Sequence, residues 1–138
     1  MTSIVRKGVI RVGLLAAFVV PLAGPASGQR PALAMLGQLE AGGWELRDRD
    51  GGPAQRICLP DARRLIQLRH PSAACERLIV DDGATEVTVQ YTCRGRGYGR
   101  THIRRETNRL LQIDTQGIAD GLPFAYSAEA RHVGNCPA

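Results

Sequence analysis

Aromatic side chains are scarce in this sequence: Phe, Trp and Tyr make up 4% of its 138 residues. Beyond residue 28 the only rings of that kind are Trp44, Tyr91, Tyr98, Phe124 and Tyr126, so one lean core is expected, and covalent support with it. Long apolar runs are missing as well. The longest, residues 12–20, has nine residues, whereas a helix needs roughly 20 to cross the hydrocarbon of a membrane. No stable span is expected. There is no Cys-x-x-Cys pair either, and without closely spaced ligands a zinc centre or other metal site is not expected. Internal repeats, heptads and low-complexity tracts are also lacking, and Lys7 is the sole lysine.

What the chain does have begins with a leader. Arg6, Lys7 and Arg11 precede the apolar run, Pro21 and Gly24-Pro25 end it, and small residues follow at Gly24, Ala26 and Gly28. That three-part layout predicts a cleavable secretory signal peptide over residues 1–28, with the mature chain starting near Ser27 or, preferably, Gln29. No cysteine sits at the junction, which argues against a lipoprotein anchor. The whole chain has 18 basic and 13 acidic residues; three of the basic ones belong to the leader, leaving 15 against 13. A mature net charge of about +2 weakens any inference to nucleic acid or anionic membrane. The expected location is periplasmic or secreted.

Four cysteines, Cys58, Cys75, Cys93 and Cys136, entering an oxidising compartment predict two disulfides, for which three connectivities exist. Cys58 and Cys75 flank one short helical pattern, while Cys93 ends a strand and Cys136 nearly ends the chain. The pairing expected on that basis is Cys58 with Cys75 and Cys93 with Cys136.

Period-two alternation dominates the rest. Residues 29–38 are weakly patterned, and a flexible arm or short helix is expected there; the domain is expected over 39–138. Trp44 and Leu46 alternate with Glu45 and Arg47, a charged turn covers 48–53, and 55–59 completes a hairpin. Pro60-Asp61 starts a short amphipathic helix carrying Leu65, Ile66 and Leu68, which must end before Pro71. Further strands are expected over 76–81, 85–93, 100–106, 110–116 and 124–133, with Asp82-Gly83 as a two-residue turn, Asn108 as another and 117–123 as a break. The predicted fold class is therefore mainly β. Its form is a curved, half-barrel-like antiparallel meander of about seven strands with one short helix. Matching apolar faces places Tyr91 opposite Ile103, Ile103 opposite Ile113, His102 beside Asp114, and Arg104 between Gln90 and Gln112.

The most unusual local feature is a group of arginines: Arg94, Arg96, Arg100, Arg104, Arg105 and Arg109. Guanidinium forks match phosphate and carboxylate, so Arg94, Arg96, Arg100 and Arg104, together with His102, are candidate binding residues for an anionic envelope ligand. A solvated sheet face that deters edge pairing is the plainer account. Gly95, Gly97 and Gly99 do not form a phosphate loop, because a strand and not a helix follows them. His70 is placed where it would cap the end of the helix, and His132 in the last strand. His102 with Asp114 has the composition of a base and its orienter, but no strained nucleophile turn accompanies them. Cysteines held in disulfides cannot serve as thiolates. No catalytic set and no cofactor are expected; a small hydrolase or isomerase using His102 and Asp114 is the alternative.

A leader, Gly43-Trp44-Glu45, Cys58, Cys75 and Cys93, a glycine-bearing segment, Gly117 and finally Cys136 together resemble the small exported bacterial proteins grouped as domain of unknown function 3617. The resemblance spans about residues 37–136. It implies export, a compact β-rich fold and two disulfides, with Trp44 as a core anchor, and brings no catalytic residues. The function expected is a non-enzymatic binding or envelope-maintenance module, its partner an anionic ligand or another envelope protein.

Overall fold

The structure, a computed structural model, describes residues 32–137. The leader expected over residues 1–28 lies outside them. Seven strands form one antiparallel sheet: β1 (Gly42–Asp48), β2 (Gln55–Leu59), β3 (Cys75–Asp82), β4 (Glu86–Cys93), β5 (Gly97–Thr107), β6 (Leu110–Ala119) and β7 (Leu122–Gly134). Their spatial order is β2-β1-β7-β6-β5-β4-β3. The five strands from β3 to β7 are a meander, and β1 joins its far edge by pairing with β7. The sheet is unclosed, with β2 and β3 as its edges.

Alternation puts one face of β1 and of β4 to β7 inward, whereas the edge strand β3 is exposed along nearly its whole length. Trp44 and Leu46, then Val87, Val89 and Tyr91, Ile103, Leu111 and Ile113, and Ala128 and Ala130 are all buried. This face is closed by the crossing from β2 to β3. The expected helix is there a 3-10 turn, Ala62–Gln67, started by Asp61, whose carboxylate accepts the Arg63 N–H at 2.8 Å. Leu65 and Ile66 of this turn are fully buried. Thr101 donates to the Ile66 carbonyl at 2.6 Å and stands 2.7 Å from the Thr115 hydroxyl, which anchors the turn to the centre of the sheet. The six residues available between the cap and Leu68 are too few for a stable α-helix, and the tighter turn presents its two apolar side chains to the sheet.

Within the expected arm, residues 32–38 are part of the domain. Leu33, Met35 and Leu36 are buried, a second 3-10 turn covers Leu36–Gln38, and the Leu33 N–H donates to Asp82 Oδ2 at 2.9 Å. Three apolar residues in a chain with few rings are core material, and they fill space that the aromatics leave.

Strand registers agree in part with expectation. Ile103 faces Ile113, His102 faces Asp114 and Arg104 faces Gln112. On the other side of β5, however, Val87 and not Tyr91 faces Ile103, and Arg104 faces Glu86 in place of Gln90. The slip is four residues. An even slip preserves the buried face, so hydrophobic alternation cannot detect it and the turn decides. The turn is short: β5 starts at Gly97, and Tyr91 faces Gly99. The Tyr91 ring lies over that glycine, where a Cβ would come within 2.5 Å of the hydroxyl. The expected two-residue turn at Asp82-Gly83 is longer, since β4 begins only at Glu86 and β3 carries a bulge between Ile79 and Asp81. The expected break at 117–123 is instead strand through Ala119, a two-residue turn at Asp120-Gly121, both with positive φ, and strand again from Leu122. Asp-Gly with positive φ at both positions is a hairpin signal. Pro123 is tolerated because β1 pairs with β7 only between Asp48–Ala128 and Gly43–Gly134, leaving Pro123 beside a single neighbour.

The disulfide pairing also differs from expectation: Cys75 is joined to Cys93 and Cys58 to Cys136. Cys75 and Cys93 are directly opposite in the β3–β4 ladder, with Cα atoms 4.2 Å apart. Cys58 lies in β2, opposite Gly43 of β1. The chain leaving β7 passes over Gly43, where a Cβ would stand 3.0 Å from the Asn135 carbonyl oxygen, and so reaches Cys58 with a Cα separation of 5.3 Å. Two disulfides suit an oxidising environment. Among the described residues no helix is long and apolar enough to cross a membrane.

Candidate ligand-binding site

The sequence-derived candidates do not converge. Arg94 and Arg96 lie in the turn between β4 and β5; Arg94 borders a depression shared with Glu76, and Arg96 pairs with Asp120 at 3.5 Å. Arg100, His102 and Arg104 share the outer face of β5; Arg100 lies between Gln90 and Gln116, and acids stand beside the other two. His102 Nε2 is 3.4 Å from Glu86, and Arg104 is 3.2 Å from Glu106. Farther round the sheet the same pattern repeats. Glu45 accepts from Arg47 at 2.8 Å and from Arg56 at 3.4 Å, and the Arg47 bond foremost holds its carboxyl below the usual carboxylate range. The Arg131 bond does the same for Glu129. The outer face is thus a mixed-charge ladder.

His102 and Asp114 face each other across β5 and β6, yet their polar atoms are engaged elsewhere. Asp114 Oδ1 accepts from Arg49 and, at 2.6 Å, from the Ser127 hydroxyl. With His102 turned to Glu86, the orienting bond that a base needs is not made. The other histidines are structural. His70 is buried; its Nε2 donates to the Arg96 carbonyl at 3.0 Å, because that oxygen can only accept, and Nδ1 then accepts from the Tyr91 hydroxyl at 3.2 Å. Burial raises the Tyr91 phenol above its ordinary value. His132 packs edge-on against Trp44, and its Nδ1 stands 3.5 Å from Glu40.

A different place gathers cations without acids. The space between β2 and the turn segment 64–71 is a cavity of about 350 Å³. Its apolar lining is Leu46 of β1, Ile57 and Leu59 of β2, Leu68, and Tyr126 of β7. Arg64, Arg69 and Arg77 border it, and no Asp or Glu among the described residues lines it. Arg77 belongs to β3, so both edges of the sheet contribute to one cavity and the sheet curls around it. The volume lies at the lower end of the roughly 300–1,000 Å³ typical of small-molecule sites.

Two of these arginines are held in place. Gln67 is buried and spends both amide hydrogens on main-chain carbonyls, those of His70 at 3.0 Å and Ala73 at 2.9 Å. Its oxygen is thereby fixed, and it accepts from the Arg77 guanidinium at 2.8 Å. Arg69 stands over the Phe124 ring, 5.6 Å from its centroid, a favourable cation–π placement. Tyr126, next but one along β7, has its phenol raised by burial first and by the Asp48 charge second, with Arg69 opposing. In the sequence these arginines are dispersed among 64, 69 and 77, and nothing in their spacing joins them. The Pro60-Asp61 start and the Cys75 strand are the only signals that could have folded 64–69 back toward 77.

No family model, curated protein or solved structure matches the chain. Among the described residues no group of His, Cys, Asp and Glu is arranged to hold a metal ion.

Proposed function

We propose that this chain is an exported, non-enzymatic binding module of a bacterial envelope, periplasmic or secreted, whose ligand enters the arginine-bordered cavity between β2 and the 64–71 segment. The observation that carries this reading is the cavity's composition: a mainly apolar lining with Gln55 and Gln67, three arginines and no acid. The leader pattern and the two disulfides support export, and the cysteine order with Gly43-Trp44-Glu45 is the basis for proposing kinship with the domain of unknown function 3617 proteins. The engagement of His102 by Glu86 and of Asp114 by Arg49 and Ser127 favours binding over hydrolysis or isomerisation.

The neutral fluorescent probe N-phenyl-1-naphthylamine tests the cavity without presupposing a ligand charge. Saturable binding at one site on the folded, disulfide-bonded chain is expected, with loss of the signal in Ile57→Trp, whose indole fills the space. Binding that persists unchanged in Ile57→Trp would place the site elsewhere.

A further inference from the structure

The ligand's chemical class can be read from the polar groups around the cavity, and this step rests on the proposal that the cavity is the binding site. We infer that it takes an amphiphile with a single anionic head, a carboxylate or phosphate, seated at Arg77 and Arg69, with its apolar chain along Leu46, Ile57 and Tyr126. Three observations support the assignment. Arg77 donates to Gln67, a neutral partner, and no carboxylate among the described residues pairs with Arg64, Arg69 or Arg77. A guanidinium has five N–H donors in a planar fork, so Arg77 retains donors for a carboxylate or phosphate after serving Gln67. The Gln67 clamp and the Phe124 ring hold the two cations before any ligand arrives, which lowers the entropic cost of binding one.

The apolar side of the cavity narrows the class. Leu46, Ile57, Leu59 and Leu68 offer nothing to the hydroxyls of a sugar or the edges of a base, Gln67 is already committed, and Gln55 and the Tyr126 hydroxyl are the neutral polar groups that remain; each further buried polar ligand group left unpaired would cost about 1–3 kcal/mol. An alkyl chain leaves nothing unpaired. A fatty acid and a single-chain phospholipid share this chemistry and differ in the head, so the test has an arm for each.

Titration calorimetry of the disulfide-bonded full chain with octanoate, octyl phosphate and 1-octanol makes the comparison. At least one anion is expected to bind about tenfold or more tightly than the alcohol, more weakly as salt rises. Arg77→Gln and, independently, Arg69→Gln are expected to remove most of that preference while leaving octanol binding in place; Arg100→Ala with Arg104→Ala should change nothing. The tighter of the two anions identifies the head group. Octanol binding as tightly as both anions would overturn the anionic class and leave the cavity as a site. Absence of binding by all three, together with failure of N-phenyl-1-naphthylamine, would overturn the site itself.

Discussion

Tyr91 shows how a single side chain ties the segments of this protein together. Its ring needs a glycine beneath it at position 99, and its hydroxyl donates to buried His70, whose other nitrogen donates to the Arg96 carbonyl. One phenol thus links β4, the crossing segment and the turn into β5. Tyr91→Phe keeps the ring but leaves His70 Nδ1 without a donor in a buried place. A loss of about 1–3 kcal/mol is expected, read as a lower urea midpoint at unchanged slope; a loss below about 0.5 kcal/mol would mean that water or another donor replaces the hydroxyl. The histidine's role was not legible beforehand, because a helix-end cap and a buried link look alike in one dimension. His102 and Asp114 show the converse: their cross-strand pairing could be read from alternation, but their partners Glu86, Arg49 and Ser127 depend on the whole sheet.

At the scale of elements, alternation of apolar and polar residues together with turn signals was enough to locate all seven strands, β3 resting on its bounding turn and not on alternation, and the apolar run Leu65-Ile66 was enough to locate the covering turn. Connections were harder to read. The β4–β5 slip is even, the Asp120-Gly121 turn was obscured by Gly117 and Pro123, and β1 finds its second partner in β7, the most distant strand in sequence. The disulfides follow from those connections, since sequence proximity favoured Cys58 with Cys75 whereas the ladder puts Cys75 opposite Cys93. Peptide mass analysis of non-reduced protein is expected to recover Cys58 linked to Cys136 and Cys75 linked to Cys93. The loops closed span 78 and 18 residues, so on chain entropy the first bridge contributes about 4.5 kcal/mol and the second about 3. Cys58→Ser with Cys136→Ser should accordingly lower stability more than Cys75→Ser with Cys93→Ser. The reverse order would show that the pin between β7 and β2 is not what holds β2 in place.

For the molecule as a whole, the open sheet is what creates a site. A closed barrel of these strands would join β2 to β3; here the 64–71 segment stands between them, its buried side chains completing the core and its arginines facing the gap. On the outer face of β5, where sequence reading placed the charge, His102 stands by Glu86 and Arg104 by Glu106, while Arg100 lies between Gln90 and Gln116. Arg94, Arg100 and Arg105 have no carboxylate partner among the described residues, and neither have Arg64, Arg69 and Arg77; the latter three differ in bordering one apolar cavity, assembled by folding from positions that share no motif. Chemical-shift mapping of the isotope-labelled, disulfide-bonded chain during separate titrations with octanoate and octyl phosphate, read for the tighter of the two, tests this account most directly. The account predicts that shifts concentrate at Leu46, Ile57, residues 64–69 and Arg77. Shifts concentrated instead at Arg100, His102 and Arg104, or none at saturating probe, would contradict it.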